Sequence, residues 1–439
     1  MNDHRKEPRM DDREPAKHDW HPYGTPQLLD GHAGPLAPDL TRSTTFALPD
    51  AATVRDVGAE TIPGEFYPRY GHPAGRLFEA RVAALEGGDG AVSFGSGMAA
   101  FHAVFCSLLS SGDTLLCSRD VYGGITGLVE RDLPRFGIRV RRFDPFDLST
   151  LAAAWDPSVR LVHLETPTNP LARVVDLDRV AALVREKSGR TDGEAARRGA
   201  SRSTEGAASR ASAGGEQPVL LSVDATFAPP PLQQVLRHGV DLAVHSATKF
   251  LGGHHDAIAG VVTGRHSVLQ VIEKFRRRTG GILGPDTAWL LHRSLATLEL
   301  RVRRQSATAE DLARRLESMR QSGAPIAKVH YPGLPEHPDH DVAKKQMDGF
   351  GAMLGFEVAG GLDGATRVYD RFRVIARAVS LGGVDTLSSL PLHTSHAMTT
   401  AEQRAEAGIA DGLVRLSIGL EPVDVLAADL EHALAAAGK

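Results

Sequence analysis

Residues 219–264 read VLLSVDATFAPPPLQQVLRHGVDLAVHSATKFLGGHHDAIAGVVTG, and this stretch decides the fold class. Three apolar runs, VLLSV at 219–223, LAVH at 242–245 and AGVVTG at 259–264, are short and bounded by Pro, Gly and Asp, which is the pattern of buried strands. The first run ends at Asp224, and the second is followed at once by Ser246-Ala247-Thr248-Lys249. A carboxylate and an amine therefore stand at the ends of neighbouring strands, where the ligands of open α/β sheets sit. Partial desolvation lowers the pKa of a lysine there, as an amine needs if it is to act as a Schiff-base nucleophile and proton shuttle. An aspartate at the next strand end can pair with a heteroaromatic N–H and keep it protonated.

The same texture extends towards the N-terminus. AVSF at 91–94, TLLC at 114–117, IRV at 138–140 and VRLVHL at 159–164 read as further strands, and helical periodicity runs over 75–85, 98–109 and 177–184. Strand and helix alternating through this length predict an α/β fold with a large, mostly parallel sheet covered by helices on both faces. After about residue 300 a long charged helix over 298–321 is followed by short strand-like runs and an Ala- and Leu-rich terminal helix, which predicts a smaller C-terminal α/β domain. The expected organisation is an N-terminal arm over 1–66, a cofactor domain over 67–300 and a C-terminal domain over 301–439. The arm to about residue 35 mixes charges and is poor in aliphatics, and 18 of the 30 residues over 188–217 are Ser, Gly or Ala with no Val, Ile, Leu, Met or aromatic. Both segments are expected to be disordered, because they cannot bury enough apolar surface to offset their ordering entropy.

Composition narrows the function classes. The 439 residues carry 50 Lys plus Arg against 54 Asp plus Glu, a formal net charge of −4, so no electrostatic footprint favours nucleic acid or an anionic membrane. Two cysteines, Cys106 and Cys117, match neither a disulfide framework nor a zinc pattern and read as buried packing residues. No apolar stretch reaches the length of a membrane span and the N-terminus lacks an apolar signal core. A soluble, cytoplasmic protein with small-molecule partners is expected.

AVSFGSGMAAFHAVF at 91–105 takes a strand through a Gly-Ser-Gly turn into a helix. The N–H groups at that helix start, with the Ser96 hydroxyl, make a site for a phosphate. Read alone, Gly95 to Ala100 satisfies G-x-G-x-x-A and suggests a nicotinamide dinucleotide, but that reading leaves Asp224 and Lys249 unexplained. Phosphate site, carboxylate and lysine together describe pyridoxal phosphate better.

These residues, with TRSTTF at 41–46, YPRYGHP at 67–73, DVYGG at 120–124, ETPTNP at 165–170, YPGLPEHP at 331–338, SLGG at 380–383 and RLSIGLE at 415–421, make the chain resemble the Cys/Met-metabolism group of pyridoxal-phosphate enzymes, relatives of cystathionine γ-lyase, cystathionine γ-synthase and methionine γ-lyase. The resemblance implies the type I pyridoxal-phosphate transferase fold and a homotetramer built from two dimers. It implies that Lys249 carries the cofactor, that Asp224 partners the pyridine nitrogen, and that Tyr122 stacks on the ring and exchanges protons with substrate. Ser96, Gly97, Met98, Ser246 and Thr248 look like phosphate ligands, with Thr226 of VDATF also facing the cofactor. Tyr67 and Arg69 resemble the pair that reaches a neighbouring subunit's phosphate. Arg415 resembles the residue that binds the substrate α-carboxylate, with Asn169 and Ser380 beside it.

Within the group the signals divide. Val379 stands where the cystathionine enzymes typically have glutamate and resembles the methionine-lyase and sulfhydrylase branches; an apolar residue suits a substrate without a distal ammonium. Gly124 stands where methionine γ-lyases commonly have cysteine, and Gly383 matches the cystathionine type. A C–S γ-lyase acting on methionine or cystathionine leads, followed by γ-replacement on a homoserine ester and, remotely, by a nicotinamide oxidoreductase. His254-His255-Asp256 and HPDHD at 337–341 lack the spacing of a known metal site, and no metal is expected.

Overall fold

The computed structural model describes residues 37–61, 64–189, 218–397 and 399–435. The tail to residue 35 and most of the 188–217 insertion lie outside the described residues; Ser188 and Gly189 close the helix Leu177–Lys187. Residues Leu40–Lys439 pack as one compact unit, and the description below concerns that unit.

Seven strands form the larger sheet: β1 (Gly90–Phe94), β2 (Thr114–Ser118), β3 (Arg139–Phe143), β4 (Val159–Glu165), β5 (Leu220–Asp224), β6 (Leu242–His245) and β7 (Gly260–Gly264), in spatial order β1-β7-β6-β5-β4-β2-β3. Pairings from β6 through β5, β4 and β2 to β3 are parallel, whereas β7 runs antiparallel to both β1 and β6. Six of the seven strand segments read from the sequence are these strands to within a residue, the run read at 138–140 continues three residues further as β3, and the sheet is mixed at the β7 edge. The reversal follows from the connection: β6 and β7 are joined by the loop over 246–259 with no crossover helix, and a parallel pair needs a crossover. That loop carries Lys249.

Central strands β4 and β5 are buried on both faces almost throughout, which is why they read as continuous apolar runs rather than alternating ones. Edge strand β3 alternates instead and exposes Arg139 and Arg141, charges that guard an open edge. One face of the sheet packs Phe101, Phe105 and Ile272 from the helices Gly97–Leu108 and His266–Thr279. The other packs Leu177, Val180 and Val184 from the helix Leu177–Lys187. Cys117 is buried in β2 as expected, but Cys106 is only half-buried, because it lies away from the sheet-facing side of its helix.

Five strands form the second sheet: β8 (Ile326–His330), β9 (Met353–Val358), β10 (Ala376–Arg377), β11 (Leu387–Ser389) and β12 (Leu413–Ser417), in order β10-β11-β12-β9-β8. Only β10 and β11 run parallel among these pairs. The helix Leu298–Gln321, with the bounds its charge and periodicity predict, covers this sheet together with Gly361–Arg371 and Val423–Leu434. A single core joins the helix Pro73–Glu86 and the Lys249 loop to the second sheet through Phe78, Phe250, Leu291, Phe356 and Leu416.

The terminal helix is tied into this sheet by a polar anchor. Asp429, 5% exposed, accepts from the backbone N–H groups of Arg373, Val374 and Ile375 at 2.9, 3.0 and 2.9 Å, fixing the chain that enters β10. Asp429→Ala removes both acceptor oxygens and with them all three hydrogen bonds, and donors left unpaired cost about 1–3 kcal/mol each when buried. The expected outcome is a loss of about 2 kcal/mol or more, read as a lower urea midpoint for unfolding of the holoenzyme, with Asp429→Asn intermediate.

Candidate active site

The carboxyl ends of β4, β5 and β6 open into a cavity of about 500 Å³. It is lined by Ser96, Gly97, Met98, Tyr122, Asn169, Asp224, Thr226, Ser246, Thr248, Lys249, Ser380 and Arg415, which the sequence singles out, and also by Glu165, Val379, Ile258 and Leu381. Tyr67 and Arg69 are outside it: Tyr67 is 45% exposed, and the Arg69 guanidinium donates to the Arg277 carbonyl and lies 5.5 Å from the Tyr67 ring centroid.

The floor of the cavity is built by close backbone approach. Ser96 caps the helix Gly97–Leu108, its hydroxyl oxygen accepting from Ala99 N at 3.1 Å. The N–H groups of Gly97 and Met98 have no carbonyl one turn earlier to accept them and remain available to an anion. A Cβ on Gly97 would stand 2.9 Å from Ser246 Cβ, and one on Gly260 would stand 2.3 Å from the Ser96 carbonyl oxygen. Glycine at both positions lets the helix start and the 246–249 turn converge. Ser246 N donates to Thr226 Oγ1 at 2.9 Å, and the Thr248 hydroxyl both donates to and accepts from the backbone of Ala259.

Asp224 is 5% exposed at the end of β5, and its Oδ1 accepts from Thr226 N at 3.0 Å and from the Thr226 hydroxyl. Its register partner on β4 is Glu165, so two carboxylates sit side by side. Burial raises the pKa of both; the Thr226 donors restrain the rise at Asp224, while the Asp224 charge adds to it at Glu165. Lys249 Nζ donates to Ser380 Oγ at 2.7 Å. Burial, reinforced by the Arg415 charge and opposed by Asp224, pushes its pKa down from 10.5 to about 8.

Arg415 comes from the middle of β12 and is 6% exposed. Its Nη1 donates to Asn169 Oδ1 at 2.8 Å and its Nη2 to the Ser380 carbonyl at 3.1 Å, while its buried Nε has no partner. Burial lowers its pKa to about 10, which still leaves it a cation at neutral pH. Ser380 takes a positive φ of 87°, a conformation that strains a non-glycine residue; the contacts from Lys249 and Arg415 hold it there. Gly382 follows at φ 80°, where a Cβ would stand 2.5 Å from Phe250 N.

Three functional supports escape the sequence reading. Glu165 ends β4 one residue past the run read at 159–164, in the same relation to its strand as Asp224 has to β5, and that parity was the available signal. Arg301 donates to the carbonyls of Phe250 and Ser294 at 2.9 and 3.0 Å, and Gln305 to those of Gly383 and Ile418 at 2.7 and 3.0 Å. They brace the Lys249 and 380–383 turns from a long helix that looks uniformly charged in sequence. His72 Nδ1 accepts from Gly75 N at 3.1 Å, capping the helix Pro73–Glu86. Among the described residues no cluster of His, Cys, Asp and Glu is arranged to hold a metal ion, and no helix is long and apolar enough to cross a membrane.

A helix start that lacks acceptors for its own N–H groups, glycines keeping the cradle open, a buried carboxylate and a lysine of lowered pKa fit a phosphorylated pyridine aldehyde. The fold and the site together define a pyridoxal-phosphate-dependent enzyme. The family profile for Cys/Met metabolism PLP-dependent enzymes matches residues 26–191 and 207–435, its gap falling within the 188–217 insertion, and the chain belongs to that family. It is 39% identical over 397 residues to an O-succinylhomoserine sulfhydrylase of Pseudomonas aeruginosa, covering 90% of each chain. It is 36% identical over 407 residues to an L-methionine γ-lyase of Pseudomonas putida, covering 92% of this chain and 94% of the relative. The crystal structure of a cystathionine γ-synthase from Xanthomonas oryzae pv. oryzae in complex with aminoacrylate and cysteine superposes with a TM-score of 0.79 at 33% identity, covering 92% and 94% of the two chains. The cofactor is pyridoxal phosphate and the activity is of the lyase and transferase kind that this family carries.

The depressed Lys249 pKa has a measurable consequence. Between about pH 8 and 10.5 the folded chain has released this proton and the unfolded chain has not, so in this window the lysine's contribution to stability rises with pH. Below about 8 it is charged in both states. Capture of pyridoxal phosphate by the apoenzyme requires the neutral amine, so its rate, followed by visible absorbance, is expected to climb through a midpoint near pH 8 and level off well below 10.5. A midpoint at 10 or above would contradict the burial argument.

Proposed function

We propose that the chain catalyses γ-elimination from methionine or a related thioether amino acid, yielding 2-oxobutanoate, ammonia and a thiol. The observation that carries this reading is Val379, which with Ile258 and Leu381 lines the cavity next to Ser380. A substrate with a distal ammonium would find no counter-charge on that apolar wall, and a distal succinyl carboxylate would find none there either. An uncharged thioether fits.

The bound cofactor supplies a conjugated electron sink that stabilises negative charge on the carbons of the substrate's amino-acid moiety. Asp224 would hold the proton on the pyridine nitrogen, and the Tyr122 ring would pack against the cofactor. Phosphate is held by Ser96, the N–H groups of Gly97 and Met98, Ser246 and Thr248, with Thr226 steadying the Asp224 carboxylate. Arg415, its Nε unpartnered, takes the substrate α-carboxylate beside Asn169 and Ser380. Lys249 removes the proton from Cα and serves as proton carrier to and from Cβ, and the Tyr122 hydroxyl protonates the departing thiolate. Tyr67 and Arg69, which do not line their own chain's cavity, complete the phosphate site of a second copy in a homotetramer of two dimers.

A second reading, γ-replacement on an O-acylhomoserine with sulfide or a thiol, is supported by Gly124. A Cβ there would stand 2.6 Å from a ring carbon of Tyr122 and 3.0 Å from Met98 Sδ, so the cysteine common in methionine γ-lyases does not fit without moving the aromatic wall. Holoenzyme incubated with methionine, cystathionine, or O-acetyl- or O-succinylhomoserine plus sulfide separates the two. Methionine is expected to give 2-oxobutanoate and a volatile thiol; homocysteine formed from an ester and sulfide at a much greater kcat/KM would favour the second reading. Val379→Glu is expected to lower kcat/KM for methionine about tenfold or more and to raise that for cystathionine. Loss of the cofactor's visible band is expected in Lys249→Ala.

Sharing of sites between copies has its own check. Arg69→Ala and Lys249→Ala chains, each inactive alone, are expected to regain activity when unfolded and refolded together, because some mixed dimers then carry one intact site. No recovery, or active monomers by light scattering, would count against the shared site.

A further inference from the structure

Glu165 has no part in the chemistry above, yet it lines the cavity at 4% exposure. Both its oxygens are engaged, and on two different loops. Oε2 accepts from the backbone N–H of Tyr122 at 2.7 Å, and Oε1 from that of Asn169 at 2.8 Å. Tyr122 is the aromatic wall, and Asn169 Oδ1 is the acceptor for Arg415 Nη1 at 2.8 Å. One carboxylate thus spans the loop after β2 and the loop after β4, and through Asn169 it reaches the guanidinium on β12 of the other sheet.

We propose that Glu165 is a positioning residue that fixes the Asn169–Arg415 carboxylate site and the Tyr122 wall relative to each other by holding one backbone N–H from each loop. This rests on the reading of Arg415 as the α-carboxylate site. Only a carboxylate meets the requirement: it is acceptor-only on both oxygens, whereas a glutamine offers one acceptor and one amide that faces an N–H donor. Aspartate keeps the charge but is a methylene too short to span both loops. A carboxylate held in a dry site beside Asp224 carries a large desolvation penalty, and the two backbone donors are what this position gains from it.

The test uses L-alanine, which has an α-carboxylate and no γ-substituent, so its binding does not depend on which group leaves. Holoenzyme is titrated with alanine and followed by the cofactor's visible absorbance, with cofactor content per chain and the melting curve measured alongside. Glu165→Gln is expected to weaken alanine binding about tenfold or more at unchanged cofactor content, the scale of a lost hydrogen bond to a charged group. Asn169→Ala is expected to weaken it comparably, and the double variant no further than the worse single one, because the two residues act in series. Glu165→Asp, expected to be intermediate, carries the same cycle if Glu165→Gln does not fold. Binding within twofold of wild type in the Glu165 variant, or losses that add in the double variant, would overturn the proposal. So would unchanged alanine binding in Arg415→Ala, which removes the reading beneath it. Failure of methionine to turn over while alanine binding follows the expected pattern sinks the substrate assignment and leaves Glu165 in place.

Discussion

Desolvation of charge at the ends of three strands is the constraint on which this structure depends. Asp224, Glu165, Lys249 and Arg415 share one cavity, and each is shifted in the direction that burial dictates. Arg415 is satisfied by an amide oxygen and a carbonyl rather than by a carboxylate, so its charge stays available to an anionic ligand. The same charge is the second cause of the low Lys249 pKa. If Arg415 is the α-carboxylate site proposed above, an arriving carboxylate would offset part of that push and make the lysine more basic. That proposal would link binding and basicity through one guanidinium.

That arrangement needs both sheets. The parallel strands supply Glu165, Asp224 and the turn with Lys249, while β12 supplies Arg415 from the opposite side, and the shared core through Phe250, Phe356 and Leu416 keeps the two in register. Arg301 and Gln305 do with hydrogen bonds what the apolar residues do by packing, reaching from one long helix to the Phe250, Gly383 and Ile418 carbonyls. The glycines at 97, 260 and 382 occur where backbone meets backbone or a short side chain within 3 Å of where a Cβ would stand. Any side chain there would separate the parts of the cradle.

What the sequence makes legible follows from range. The strand runs are local signals of burial on both faces, and all seven strands of the large sheet are found where those runs predict; the bounds of the helix 298–321 are likewise set by local periodicity. Asp224 and Lys249 are legible because each adjoins a strand end within a single stretch. Glu165 shares that position but reads as an ordinary charged residue in a turn, since its significance lies in which N–H groups meet it across 43 and 4 residues of chain. The reversal of β7 is hidden for a related reason: direction depends on the connection, and the 246–259 loop looks no different in composition from one that leads into a crossover. Arg301 and Gln305 belong to the same class, polar residues on a charged helix whose partners lie in another layer.

The conflict between Val379 and Gly124 is best understood as two demands on one cavity. Val379 lines the cavity wall and, under the proposed reaction, would meet what extends beyond Cγ; a Cβ on Gly124 would press on the Tyr122 ring, so that position bears on where the ring sits. An uncharged distal wall selects against substrates with a second charged end, whether they are eliminated or replaced. Glycine at 124 leaves space bordered by the Tyr122 ring and Met98 Sδ and puts no thiol beside the phenol. A chain with an apolar residue at 379 and glycine at 124 need not match either branch in full, because the two positions bear on different parts of the cavity, one on its wall and the other on the Tyr122 ring.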